Sequence, residues 1–120
     1  MLKLTPATRD PYWLDLLPGV RLQVRPVSVA SMLLARAAAG DALREAGERD
    51  DGTVRAGEAF TRAFARSVIV AWDGVGDAEG EPVEPSPERI DLLLDHWPAF
   101  DAFDRLYVGP ALAQDTEKNG

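Results

Sequence analysis

Cysteine is absent from this chain of 120 residues, and histidine occurs once, as His96. Without thiols there are no disulfides and no thiolate metal ligands, and a single histidine leaves a four-ligand zinc site in need of three carboxylates. No apolar run approaches the roughly 18 residues that cross a bilayer. The first residues also lack the basic stretch and apolar core of a secretory signal. We therefore expect a cytoplasmic protein with no membrane contact and no cofactor.

Basic residues are scarce relative to acidic ones, with 13 Lys and Arg against 20 Asp and Glu and a formal net charge of −7. Binding to nucleic acid needs clustered Lys and Arg, so we expect no nucleic-acid partner. Most of the excess lies between Asp73 and Asp104, where ten acidic side chains accompany one base, Arg89. Such a block is typical of a solvated face, and the alternative is a contact with a cation-rich partner.

Catalytic residue types occur without the patterns that catalysis requires. His96 has no nucleophilic Ser in a G-x-S-x-G turn to act upon. The glycine-rich stretch 74–80 is one residue out of register for a dinucleotide-binding loop, and its carboxylates would repel phosphate. A calcium loop registered on Asp73 or Asp77 breaks the required glycine position. We therefore expect a protein that is not an enzyme and holds no metal.

The composition is that of one folded domain over 1–120, with 46% apolar and 28% charged residues. The patterning predicts a mostly α fold with a small N-terminal β-hairpin (α+β), in which three to four short helices follow the hairpin. We expect the hairpin over 11–26, the helical part over 28–108, and a flexible tail over 110–120.

The hairpin is predicted from a two-residue alternation between apolar and polar side chains. Its apolar members are Val20, Leu22 and Val24, and its polar members are Arg21, Gln23 and Arg25. Pro18 and Gly19 suit the central positions of a type II turn, because glycine tolerates the positive φ required there. The basic stripe is either a solvated face or a contact with the acidic block of a second copy.

Helical spacing predicts a first helix from an N-cap at Ser28 to about Ala46, and a second helix over roughly 54–72. The first carries an alanine-rich apolar stripe formed by Val29, Met32, Leu33, Ala35, Ala39, Ala42, Leu43 and Ala46. The second has an apolar face formed by Phe60, Ala63, Phe64, Val68, Ala71 and Trp72. We expect the aromatic face of the second helix to pack in the core, and the alanine-rich face of the first to allow close approach of another backbone.

A third helix is predicted to open with Ser86 as its N-cap and Pro87 at its first helical position. We expect it to bury Ile90, Leu93, Leu94 and Trp97. Pro98 interrupts the pattern, and a short fourth helix is predicted to stop before Gly109. Its apolar residues are Phe100, Phe103, Leu106 and Tyr107.

An ordered set of short motifs runs from the end of the second helix to the end of the chain. Its residues are Trp72, Gly74, Val75, Gly80, Pro82, Pro98, Tyr107, Glu117, Lys118 and Asn119. In this order and spacing the set resembles the phage tail assembly chaperones of long-tailed phages, prophages and gene transfer particles. The resemblance covers about the last 48 residues and rests on the whole set, since no single motif is specific.

The resemblance implies a non-enzymatic role in the cytoplasm of a bacterial host. Such chaperones bind and solubilise the tape measure protein, which sets tail length, and help to recruit the tail tube protein. The ten motif residues would then be structural or partner-binding. The alternative is a structural tail or neck protein that is retained in the mature particle, and a homo-oligomer stays open in either case.

Overall fold

Three antiparallel strands and four α-helices are present in the computed structural model, which describes residues 1–6 and 10–113. In chain order the elements are β1 (Tyr12–Leu17), β2 (Val20–Val24), α1 (Val29–Ala46), α2 (Gly52–Val68), β3 (Ile69–Asp73), α3 (Pro87–Leu94) and α4 (Trp97–Phe103). A π-helical turn, Asp104–Val108, follows α4 directly. The predicted α+β class is therefore confirmed.

The sheet has the order β1-β2-β3, so the second strand of the predicted hairpin is its centre. Alternation along β2 buries Leu22 and Val24 completely, and Leu22 pairs with Trp72 on β3. The opposite face carries Arg21, which donates to Asp73 at 2.7 Å. The helices consequently pack on one face of the sheet, and charged residues occupy the other.

The third strand corrects the prediction of one helix over 54–72. Helix α2 ends at Val68, and Ala71 and Trp72 lie on β3 instead of on the face of a helix. The junction carries three successive β-branched residues, Val68 to Val70, whose side chains favour extended backbone. Pairing with β2 then provides the hydrogen bonds that another helical turn would have made.

The core is centred on aromatic rings of α2, α4 and the π-helical turn. Phe64 is fully buried and meets Phe60 and Tyr107 edge-on, with ring centroids 5.6 and 5.4 Å apart. Phe103 stacks on Tyr107 at 5.2 Å. The predicted core role of Phe64 is confirmed, and this cluster joins the helices to one another.

Local signals at the helix starts and in the hairpin turn are confirmed. Ser28 and Ser31 form a capping box at the start of α1, which ends at Ala46 as predicted. The Ser86 side chain accepts from the Arg89 N–H at the start of α3. Gly19 has a φ of 80°, as its position in the turn requires.

The prediction that the helical backbone stops before Gly109 is wrong. The helical backbone continues to Ala113. The N–H of Gly109 donates to the carbonyl of Asp104, five residues earlier. This wider π-helical bond shifts the hydrogen-bond register just before Pro110, which has no N–H to donate. Ala111 is buried as a result of the continuation.

Gly74 allows the end of β3 to lie against the hairpin turn. Its φ is +84°, and a Cβ there would stand 1.8 Å from the carbonyl oxygen of Gly19. Gly80 has almost the same φ, +82°, but a Cβ there would meet nothing within 4 Å. The two glycines therefore differ mainly in whether a neighbouring backbone fills the space.

We expect Gly74→Ala to destabilise the protein by about 3 kcal/mol or more, because the new methyl group forces the turn away from β3. Gly80→Ala is the matched control and should lose only about 1–2 kcal/mol, the cost of an L-residue in this backbone conformation. Urea unfolding of the two variants measures the difference. Equal losses would contradict the close approach.

Candidate functional site

A groove of 730 Å³ lies between the first half of α2 and the region where α3 passes into α4. We call it the α2–α4 groove. Its apolar lining comes from Val54, Leu94, Trp97 and Phe100. Carboxylates stand around this lining, contributed by Glu58, Asp95 and Asp104. An apolar floor with an acidic rim is suited to binding an apolar surface that carries positive charge.

Trp97 forms one wall of the groove and is 69% exposed. Its ring stacks on Phe100 at 6.3 Å, with 16° between the planes. The sequence-based expectation that α3 buries this tryptophan is wrong. Helix α3 ends at Leu94, and the extended backbone of His96 begins a new helix with a different set of inward positions. Ile90 and Leu94 are the residues that α3 buries.

The charges at the groove are arranged so that its one base is already neutralised. Arg62 is 17% exposed and forms ion pairs with Glu58 at 3.0 Å and Asp95 at 2.6 Å. Burial lowers the pKa of Arg62, but the bonds to Asp95 and Glu58 outweigh it and hold that pKa above its ordinary value. Arg66 binds Asp91 at 2.8 Å. Asp104 makes no ion pair with any described residue, so the rim is net negative.

The α2 side of the groove carries an exposed glycine and a buried threonine. Gly57 is exposed, and a Cβ added to it would meet nothing within 4 Å. Thr61, one turn later, is 3% exposed, and its hydroxyl makes no hydrogen bond with any residue in the described ranges. Gly52 lies on the other side of α2, because a Cβ added to it would contact Ala46 on α1.

A second unpartnered surface lies on α1, which packs on α2 along one side. We call it the α1 outer face and define it by five exposed residues: Val29, Ala30, Leu33, Leu34 and Ala37. Val29 is 78% exposed, and the two leucines are 56% and 57% exposed. No acidic residue occurs in α1 before Asp41. Of the predicted apolar stripe of α1, Val29, Leu33 and Leu43 are exposed, since α2 covers only one side of the helix.

Five of the motif residues build one local structure, the loop 74–83 that follows Trp72. The indole N–H of Trp72 donates to the carbonyl of Val83 at 2.6 Å, and Gly76 pairs with Pro82 across the loop. Val75 packs against the core, and Gly80 provides the positive φ of the turn. The Asp77 carboxylate accepts from backbone N–H groups of the same loop. These residues shape the loop and none lines the α2–α4 groove.

The other motif residues are placed elsewhere. Pro98 lies in the first turn of α4, beside Trp97. Tyr107 is buried, and its hydroxyl donates to the carbonyl of Arg25 at 2.7 Å. Burial raises the pKa of Tyr107 above the usual tyrosine value. Glu117, Lys118 and Asn119 lie outside the described residues.

Sequence reasoning missed the groove because one wall comes from α2 and the other from α3 and α4, which follow α2 only after β3 and a long loop. One signal on α2 was available, a run of small residues every four positions: Thr53, Gly57 and Thr61. This spacing leaves one side of a helix open to close approach. Within residues 1–6 and 10–113, no cluster of side chains could hold a metal ion and no helix is long and apolar enough to cross a membrane.

Comparison with known proteins gives one match. A family model described as YdaY prophage protein matches residues 27–118, which is about three quarters of the chain. The match includes α1 and α2 as well as the motif region, and it leaves β1 and β2 outside. No curated protein and no solved structure matches the chain.

The exposure of Trp97 leads to a prediction about stability. Phe64→Ala should lower the free energy of unfolding by about 3–5 kcal/mol, because it opens a cavity in the core. Trp97→Ala should lower it by less than about 1 kcal/mol, because the ring is largely solvated. Chemical denaturation compares the two variants, and equal losses would place Trp97 in the core.

Tyr107 leads to a prediction about alkaline stability. Tyr107→Phe should lose about 1–2 kcal/mol at neutral pH, since the Arg25 carbonyl loses its donor. The pKa of Tyr107 is raised in the folded state, so its contribution is complete below about pH 10 and declines as the pH rises further. The variant should therefore lose less stability than the parent protein above that pH. Tyr12→Phe, at an exposed ring, is the control and should change neutral stability by less than about 0.5 kcal/mol.

Proposed function

This chain belongs to the YdaY prophage protein family, and we propose that it is a tail assembly chaperone of the prophage particle. In this role it binds apolar helical segments of the tape measure protein, keeps that protein soluble and helps to recruit tail tube subunits. The role involves no catalysis and places the protein in the cytoplasm of the bacterial host. The order of its motifs supports the specific role, and the α1 outer face provides a physical basis for it.

The α1 outer face is the observation that carries the proposal. The α1 outer face occupies residues 29–37 of helix α1, a length of about 12 Å or just over two turns, so it can lie along a short stretch of a partner helix. Val29, Leu33 and Leu34 project from the first half of α1 with no carboxylate among them. A helix that is apolar beyond the side it packs on is suited to burial against another chain.

The rest of the surface supports the solubilising part of the role. A formal net charge of −7 makes neighbouring copies repel one another and keeps a coated partner dispersed. Much of this charge lies in 73–104, away from the α1 outer face. A copy bound through α1 therefore replaces an apolar stretch of the partner by an acidic surface.

Release is as important as binding for an assembly factor. The α1 outer face offers three large apolar side chains, which is a small contact. Many weakly bound copies on one long partner can still cover it, because neighbouring sites raise the effective concentration. Weak single contacts also allow the tail tube protein to displace each copy as the tube grows.

Co-expression with the tape measure protein of the same prophage tests the proposal. We expect that protein to be soluble with the parent chain and insoluble with the double variant Leu33→Asp/Leu34→Asp, which places charge on the α1 outer face. Leu92→Asp is the matched control, because Leu92 is 63% exposed on α3 and outside both surfaces. The control should preserve solubility.

Two results would contradict the proposal. One is tape measure protein that stays equally soluble with and without this chain. The other is the chain itself in purified mature particles at a fixed copy number, which identifies a retained tail or neck component instead.

A further inference from the structure

We propose that the α2–α4 groove is a second binding site, which takes an amphipathic helix of another protein whose large apolar side chains are flanked by Lys or Arg. This proposal does not rest on the chaperone function, because the residues that line the groove come from α2 and from the region of α3 and α4, and none comes from α1. Three features of the groove favour this occupant: its shape, the exposed ring of Trp97 and its negative charge.

Gly57 leaves the α2 side of the groove open and lowers the stability of α2. A glycine inside a helix destabilises it by about 0.5–1 kcal/mol relative to alanine. At Gly57 no described neighbour uses the space, since a Cβ would meet nothing within 4 Å. Any longer side chain at this position would project into the groove. The gap therefore has no role in the packing of the described residues and leaves room for an occupant.

The groove also presents an aromatic ring that the described part of the chain does not cover. Trp97 presents most of its ring to the opening and is backed by Phe100. Tryptophan is among the residue types that contribute most to protein interfaces.

Charge selects among the apolar helices that would fit. Arg62 is saturated by Glu58 and Asp95, while Asp104 is exposed and has no ion pair with a described residue. The uncompensated charge at the rim is therefore negative and favours Lys or Arg beside the apolar anchors. A second copy of this chain is disfavoured as the occupant, because both copies carry a net charge of −7.

The size of the groove fits this mode of binding. Its 730 Å³ falls within the range of about 300–1,000 Å³ in which proteins enclose ligand groups. Helices that bind in such grooves insert side chains spaced three and four residues apart. The groove can hold a few such side chains, while the remainder of the partner helix stays outside and presents its charges to the rim.

Binding of two synthetic peptides to the full chain tests the proposal. Both are fluorescein-labelled amphipathic helices of about four turns with the same Leu and Phe anchors, and one carries Lys where the other carries Glu. We expect the Lys peptide to bind at least about tenfold more tightly than the Glu peptide, as measured by fluorescence anisotropy, and to weaken as salt is raised.

Matched variants locate the binding. Gly57→Leu should abolish binding while the melting temperature stays the same or rises, because the side chain fills the groove and improves α2. Trp97→Ala should weaken binding by about tenfold or more, and Trp13→Ala, at another exposed tryptophan, should not. Asp104→Asn should reduce the dependence on salt, and Glu48→Gln, outside the groove, should leave it unchanged.

Several results would overturn the proposal. They are equal binding of the Lys and Glu peptides, binding by neither peptide, and full binding by folded Gly57→Leu. A parent chain that self-associates in analytical ultracentrifugation, with the association lost in Gly57→Leu, would show that a second copy occupies the groove.

Discussion

The backbone N–H and C=O of Arg25 connect the sheet, helix α2 and the helical turn that follows α4. Its N–H donates to the carbonyl of Val68 at 2.9 Å, at the point where α2 passes into β3. Its carbonyl accepts from the Tyr107 hydroxyl at 2.7 Å. One residue after the central strand therefore ties the sheet to the end of α2 and to the helical turn beyond α4. The ring of Tyr107, which makes the second of these bonds, packs against the buried rings of Phe64 and Phe103.

The two candidate surfaces follow from how this core uses each helix. Helix α2 has α1 along one side and the aromatic cluster on another, and the stretch around Gly57 is among the parts that remain open. Helix α1 touches mainly α2, and its other side is left to solvent. In a chain of 120 residues there is too little additional structure to cover both. The exposed leucines and Trp97 are consequences of that limit, and both proposals assign partners to them.

The parts of the fold that could be predicted from the sequence depend on local chemistry. The hairpin, the capping residues Ser28 and Ser86 and the core position of Phe64 need only nearby residues or a single periodicity. The third strand depends on pairing with a strand 45 or more residues earlier, so helical periodicity was extended past Val68. The exposure of Trp97 depends on a change of chain direction at His96. The motif residues Trp72, Gly74 and Gly80 shape the end of β3 and the loop after it, away from the groove, and nothing in the sequence shows that placement.

No loop separates α2 from β3, since Val68 ends one element and Ile69 begins the other. The helix that carries Gly57 therefore continues directly into a strand of the sheet. A rotation of this helix would break the pairing of Ile69 and Trp72 with β2. The π-helical turn that continues α4 on the opposite side is tied through the Tyr107 hydroxyl to Arg25, directly after the neighbouring strand β2. Folding alone therefore sets the separation of the two walls, and the groove itself would lose little conformational entropy on binding the proposed helix.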